Sequence, residues 1–333
     1  MRWILGAIVA IVAVLAVVMG GGYLALKRPD IAYATLAENY ASETSQYVDL
    51  ADGVRVHFRS EGQAPGAPTL LLIHGFSSSL HTWEPWVQRL SDEYRVISLD
   101  LPGHGLTEAP AGYRASIEAY RDVVHAFAAS QGLTRFAIAG NSMGGNVAWE
   151  YALAYPQDIQ ALILVDSSGW EDTREQAQQD PPIFKLLRNP VLGPVLRDLD
   201  NTALIRQGLE ASFGDASMVD DAMVERYAAL SRAPGHRDIL LQMTLGFRER
   251  NYATPERLAP LANMPVLIIQ GGADRIVPPE HARQFNSAIS GSQLMWLDGV
   301  GHLPQEERAD ETATAMREFL YAAFEPAALA QAN

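Results

Sequence analysis

Hydrophobic and polar positions change rhythm several times along this chain. Trp3 to Leu26 (WILGAIVAIVAVLAVVMGGGYLAL) carries no charge, with Arg2 before it and Lys27-Arg28 after. A helix of that length rises about 36 Å, enough for a hydrocarbon core of about 30 Å. Two strand-like pieces follow, Gln46–Leu50 and Val54–Arg59, joined by the turn signal Asp52-Gly53. Then come short continuous apolar runs: Thr69–Ile73, Arg95–Leu99, Arg135–Ala139, Ala161–Val165, Pro265–Gln270 and Gln293–Leu297. Runs rich in Val, Ile and Leu suit strands of a parallel sheet buried on both faces. Helical spacing fills the gaps at Trp83–Ser91, Ile117–Gln131, Gly145–Tyr155, His281–Ala288 and Glu311–Ala323. Strand and helix in alternation predict an open α/β sheet.

One stretch breaks the alternation. Between Ser167 and Asn263 there is no buried-strand run, only amphipathic helical segments near Pro182–Arg188, Thr202–Phe213, Ser217–Leu230 and His236–Gly246. An insertion of that size between core strands predicts a helical cap. The expected organisation is an N-terminal transmembrane anchor (1–26), a polar stalk with weak helical character (27–45), a core (46–166 and 264–325), a cap (167–263) and a tail (326–333).

Composition narrows the chemistry. The 333 residues include no cysteine, which excludes disulfides, thiolate metal sites, cysteine nucleophiles and an acylated-cysteine lipid anchor. The formal charge of −14, from 39 acidic and 25 basic residues, argues against nucleic-acid binding. The long apolar run lacks an A-x-A-like site just after it, which favours a retained anchor over a cleaved secretory signal, the alternative reading. Basic residues flank the run on both sides, so the positive-inside rule is nearly tied. The expectation is a single-pass membrane anchor, with the short N-terminal tail cytoplasmic and the rest of the chain outside it.

Gly140-Asn141-Ser142-Met143-Gly144 fits G-x-S-x-G, between a predicted strand and a predicted helix. A sharp strand-to-helix turn makes the Ser142 hydroxyl project, and the flanking glycines leave room for it. A serine nucleophile needs a base, a carboxylate and an oxyanion site. The base is His302, on the glycine-rich loop after the last predicted strand. The acid is Asp274, in Gly271-Gly272-Ala273-Asp274; Asp166, which ends the neighbouring strand on the same edge, is the competitor. The oxyanion donors are the backbone N–H groups of Met143 and Phe76. His74 is read as structural, and Asp100-Leu101-Pro102-Gly103-His104-Gly105 as a loop that shapes the site. No metal-binding motif or nucleotide fingerprint is present, and no cofactor is expected.

His74-Gly75-Phe76, Asp100–Gly105, Gly140–Gly145, Gly272–Pro278 and Gly301-His302, in that order, make residues 46–325 resemble the α/β-hydrolase fold. The resemblance implies a mostly parallel central sheet flanked by helices, with the cap inserted after the sixth core strand. Dehalogenases and epoxide hydrolases of this fold use aspartate as nucleophile. Serine implies acyl transfer, and the hydrophobic anchor makes the chain resemble membrane-anchored bacterial serine esterases and lipases, whose partners would be an ester or lipid substrate and the membrane. Gly-Asn-Ser-Met-Gly-Gly also occurs in carbon–carbon bond hydrolases of aromatic degradation, which is the alternative. Those enzymes carry a tryptophan soon after the catalytic histidine, where this chain has Leu303-Pro304-Gln305. A non-catalytic module of the same fold is the remaining reading, and its mark would be a broken triad.

Overall fold

The computed structural model describes residues 21–62, 66–174, 182–189, 192–246 and 251–329. Among the described residues eight strands form one sheet: β1 (Ser45–Asp49), β2 (Arg55–Glu61), β3 (Thr69–Ile73), β4 (Arg95–Leu99), β5 (Phe136–Asn141), β6 (Ile159–Val165), β7 (Val266–Gly271) and β8 (Gln293–Leu297). Their order is β1-β2-β4-β3-β5-β6-β7-β8. β1 and β2 pair antiparallel, as do β2 and β4; the other pairs are parallel. The predicted runs are these strands, with ends shifted by at most two residues.

The apolar runs explain the layering. Every residue of β5 and of β7 is buried. Alternate side chains therefore enter opposite cores. On one face Leu71, Ile73 and Ile138 pack with α3 (Ile117–Ser130), α4 (Met143–Ala154) and α11 (Glu280–Ala288) through Phe127, Trp149 and Phe285. On the other, Leu70, Leu72 and Ile163 pack with α2 (Glu84–Leu90) and α13 (Ala309–Leu329) through Trp86, Met316 and Leu320. β1, at the edge, is largely exposed and correspondingly polar. Strand order reverses beside β3, so the connections leaving β3 and β5 diverge and open a crevice at their carboxyl ends.

After β6 come the short cap helices α5 (Pro182–Leu187), α6 (Leu192–Arg197), α7 (Thr202–Ser212), α8 (Asp221–Leu230), α9 (His236–Gly246) and α10 (Pro255–Leu258). α7 and α8 enclose a small core of Leu209, Phe213, Val219 and Val224, which also takes in Leu303.

Residues 27–45 are held along their length rather than standing free. Lys27 bridges to Leu199, and the Arg28 N–H donates to the Asp198 carbonyl. Arg237 pairs with Asp30 at 2.5 Å. Helix α1 (Tyr33–Tyr40) seats Leu36 in a cluster with Leu106 of the core and Leu230 and Ala233 of the cap. The polar composition of this stretch reflects a one-sided contact: Leu36 is the one residue of α1 that is buried. Most of the apolar run Trp3–Leu26 lies outside the described residues; its end, 21–26, is helical. Among the described residues no helix is long and apolar enough to cross a membrane.

Candidate active site

β5 runs straight into α4 through Ser142, whose backbone is at φ 55, ψ −118. A non-glycine residue there is strained, and such strain concentrates at functional sites. The turn is compressed by its neighbours. A Cβ on Gly140 would lie 2.1 Å from the Gly144 carbonyl oxygen, and one on Gly144 would lie 2.1 Å from the Ile73 carbonyl oxygen. Only glycine fits at either place. Ser142 remains half-buried while Asn141 and Met143 on either side are buried, so the turn offers the hydroxyl to the crevice.

His302 follows β8, and its Nδ1–H donates to Asp274 Oδ2 at 2.7 Å. Asp274 follows β7, and its Oδ1 accepts the N–H groups of Ile276 (2.7 Å) and Val277 (3.0 Å). Because the carboxylate only accepts, the hydrogen between them lies on Nδ1; in the neutral ring the lone pair is then on Nε2. Both residues are buried. The Ser142 turn is tied to the histidine loop by Asn141, whose Nδ2 donates to the carbonyls of His302 (3.0 Å) and Val165 (3.3 Å). On its other side the histidine is held by the cap, its N–H donating to the Ser212 carbonyl at 2.6 Å. Glu307 completes the frame, accepting the N–H of Gly301 (2.7 Å) and of Gly214 (2.9 Å).

The two oxyanion candidates flank the serine. Met143 is the first residue of α4, so its N–H has no intrahelical acceptor. Phe76 follows Gly75, where an added Cβ would lie 3.2 Å from Ser142 Cβ and 3.0 Å from Asn141 Oδ1. The loop after β3 thus lies against Ser142. His74 is fully buried beneath it, donating from Nδ1 to the Gly75 carbonyl (2.7 Å) and accepting the Leu101 N–H at Nε2 (3.0 Å). Burial pulls its pKa down, so the ring is neutral and structural.

Asp100 organises the neighbouring loop. Its carboxylate accepts the N–H groups of Leu80 (2.8 Å) and Leu106 (2.9 Å) and the Nδ1–H of His57 (2.7 Å). Burial alone would push Asp100 up; the His57 hydrogen bond, with that of the Leu106 N–H, holds it well below the usual carboxylate range. His57, Asn141 and Glu307 frame the site through contacts that motif reading missed. In β2, burial continues unbroken from Val56 to Ser60, so alternation gave no sign that His57 turns toward Asp100.

Asp166 also reaches the site. One atom from each of Asp166, Asp274 and His302 lies within 4.8 Å of the others. Asp166 makes its hydrogen bonds to Gln270 Nε2 (2.6 Å) and the Gly271 N–H (2.9 Å), while Asp274 takes the imidazole. A narrow cleft between α8 and the loop after β3 is lined by Ser78, Ser79, His104, Tyr227 and Leu230. Tyr227 closes it with a 3.2 Å hydrogen bond to Ser78 Oγ.

The model of the α/β-hydrolase fold matches residues 68–309, and this chain belongs to that family. It is a hydrolase whose eight-stranded, mostly parallel sheet and flanking helices are those of the fold. Among relatives, it is 29% identical over 295 residues to the dihydrolipoyllysine-residue acetyltransferase component of the acetoin cleaving system of Cupriavidus necator, covering 87% of this chain and 73% of that one. It is 28% identical over 285 residues to Lipase 1 of Psychrobacter immobilis, covering 81% and 82%. The structure of a meta-cleavage product hydrolase from Pseudomonas fluorescens superposes with a TM-score of 0.70 at 25% identity, covering 84% of this chain and 98% of that one.

Proposed function

We propose that this protein is a serine esterase or lipase that cleaves carboxylic esters through an acyl-enzyme. The observation that carries the reading is the strained Ser142 turn, bound through Asn141 to the loop of a histidine whose Nδ1 is fixed by Asp274. In this scheme His302 Nε2 takes the hydroxyl proton as Ser142 Oγ attacks the ester carbonyl. The N–H groups of Phe76 and Met143 hold the oxyanion. His302 then protonates the leaving alcohol, and a water activated by the same histidine releases the acid. The reaction needs no cofactor.

Replacing Ser142 by alanine tests it. Hydrolysis of short-chain p-nitrophenyl esters and labelling by a fluorophosphonate should both vanish in a protein that keeps its thermal transition. Undiminished turnover by Ser142→Ala ends the proposal. The alternative, a carbon–carbon bond hydrolase, is favoured by the likeness to the meta-cleavage product hydrolase. A panel of vinylogous dienone acids beside simple esters separates the two, with esters expected to be cleaved at least tenfold faster.

The same reading extends to location. The uncharged run Trp3–Leu26 supports a single-pass anchor that holds the enzyme at a bacterial inner membrane, with the catalytic domain in the periplasm and lipid esters as substrates. Protease added to intact spheroplasts should digest the catalytic domain. Protection until lysis would reverse the orientation.

A further inference from the structure

The reaction scheme above leaves one buried acid unused. Asp166 directly follows β6, whose last carbonyl, that of Val165, accepts the Ser142 N–H. It is fully buried, and its backbone is in the left-handed region (φ 43), as is that of Ser142. Asp166 Oδ1 holds two donors, Gln270 Nε2 and the Gly271 N–H. Among the described residues no hydrogen-bond donor reaches Oδ2, although that atom is shut off from solvent. Across from it stands the Asp274 carboxylate, with Asp166, Asp274 and His302 each offering an atom within 4.8 Å of the others.

Two ionised carboxylates cannot share a dry site at little cost, and such a pair keeps a proton. Which oxygen holds it follows from counting donors. Asp274 Oδ1 accepts two amides and Oδ2 accepts the imidazole, so both are occupied as acceptors. Asp166 Oδ2 is the oxygen left without a donor, and a proton there can bond to Asp274.

We propose that Asp166 is a positioning residue of the active site, a neutral carboxylic acid that donates a hydrogen bond to Asp274 and extends the Ser142–His302–Asp274 chain by a fourth member. The proposal rests on the serine hydrolase reading. The groups facing Asp166 agree with it. Burial, the Asp274 charge and the more distant Glu307 of α12 (Pro304–Glu307) push the Asp166 acid well above its ordinary range, against the pull of the Gly271 N–H. His302 donates to Asp274 from Nδ1 and also places an atom within 4.8 Å of Asp166. No proton moves along the extension. When the Ser142 O–H bond breaks, its proton goes to His302 Nε2, Nδ1–H stays bonded to Asp274, and Asp166 keeps its own. The extra donor fixes the Asp274 carboxylate in the plane of the imidazole and offsets part of its negative charge, so that the Nδ1 proton stays on the ring.

The experiment uses the full chain in detergent micelles, with p-nitrophenyl butyrate as substrate. Asp166→Asn presents an N–H where the acid presents an O–H, so kcat should stay within about threefold of the parent. Asp166→Ala removes the donor, and kcat should fall at least about tenfold with KM unchanged, the loss of one charge-assisted hydrogen bond. Infrared spectra should contain a protonated-carboxyl carbonyl band in the parent that is missing from Asp166→Asn. Absence of that band, equal damage in Asp166→Asn and Asp166→Ala, or parental kcat in Asp166→Ala would each overturn the proposal. Should Asp166→Ala fail to fold, Asp166→Asn and the band still decide. Failure of the parent to cleave esters through Ser142 would instead sink the esterase reading, which the band does not depend on.

Discussion

At the scale of single residues the candidate site is held together by side chains outside the set Ser142, His302 and Asp274. Asn141 is the clearest, since one amide joins the nucleophile turn to the carbonyl of His302. Asn141→Ala should cut kcat/KM on a short ester about tenfold, the equivalent of one lost hydrogen bond; an unchanged value would show the tie to be dispensable. Glycine gives a paired test. Gly140→Ala brings a methyl to 2.1 Å from a carbonyl oxygen, whereas nothing lies within 4 Å of a Cβ on Gly208, inside helix α7. Gly140→Ala should abolish the cooperative thermal transition, and Gly208→Ala should raise its midpoint by a few degrees, a gain of about 0.5–1 kcal/mol. Ser142, Asp274 and His302 were legible because each occupies a motif at the end of a predicted strand. Asn141 was not, because its motif position accepts any residue and its contact lies 161 residues away. His57 and the proton on Asp166 escaped for the same reason: both are set by neighbours that only the folded chain brings together.

Among the elements, the strands were the most readable, since burial on both faces leaves an unbroken apolar run. Cap boundaries were harder. α6 went unpredicted, a six-residue helix that contains both Gly193 and Pro194. The short helix α12, which follows His302, carries a pH response of its own. Glu306, half-buried there, accepts a hydrogen bond from Thr82 at 2.5 Å. Burial pushes its pKa up to about 7, against the pull of Thr82 and Arg226. An acid raised in the folded state binds its proton more tightly there than in the unfolded chain. Its contribution to stability is therefore greatest below about 4.5 and is lost as pH rises toward about 7. Glu306→Gln should raise the melting temperature at pH 8 more than at pH 5. An equal change at both values would mean that Glu306 titrates normally.

For the molecule as a whole, the notable departure from the sequence reading is the segment 27–45. Its polarity suggested a spacer, but its few apolar side chains and its backbone bind both cap and core. Two shortened chains should separate its role from that of the run before it. A chain starting at residue 27 should leave the membrane fraction yet keep its melting temperature and its rate on soluble esters. One starting at residue 46 loses Leu36 and the Asp30–Arg237 pair and should melt several degrees lower. Equal melting temperatures would make the segment an ornament. The cap invites a comparable change of view. A cover over a cleft can be lifted away and leave the machinery beneath intact. Here the far end of α7 holds the backbone of His302, and Leu303 is embedded among cap side chains. The cap is thus a wall of the frame that holds the His302 loop, as well as a cover for the cleft. Chains stripped of it to admit bulky esters would lose rate even on the smallest ones, and repair would have to begin with the Ser212–His302 contact rather than with the pocket.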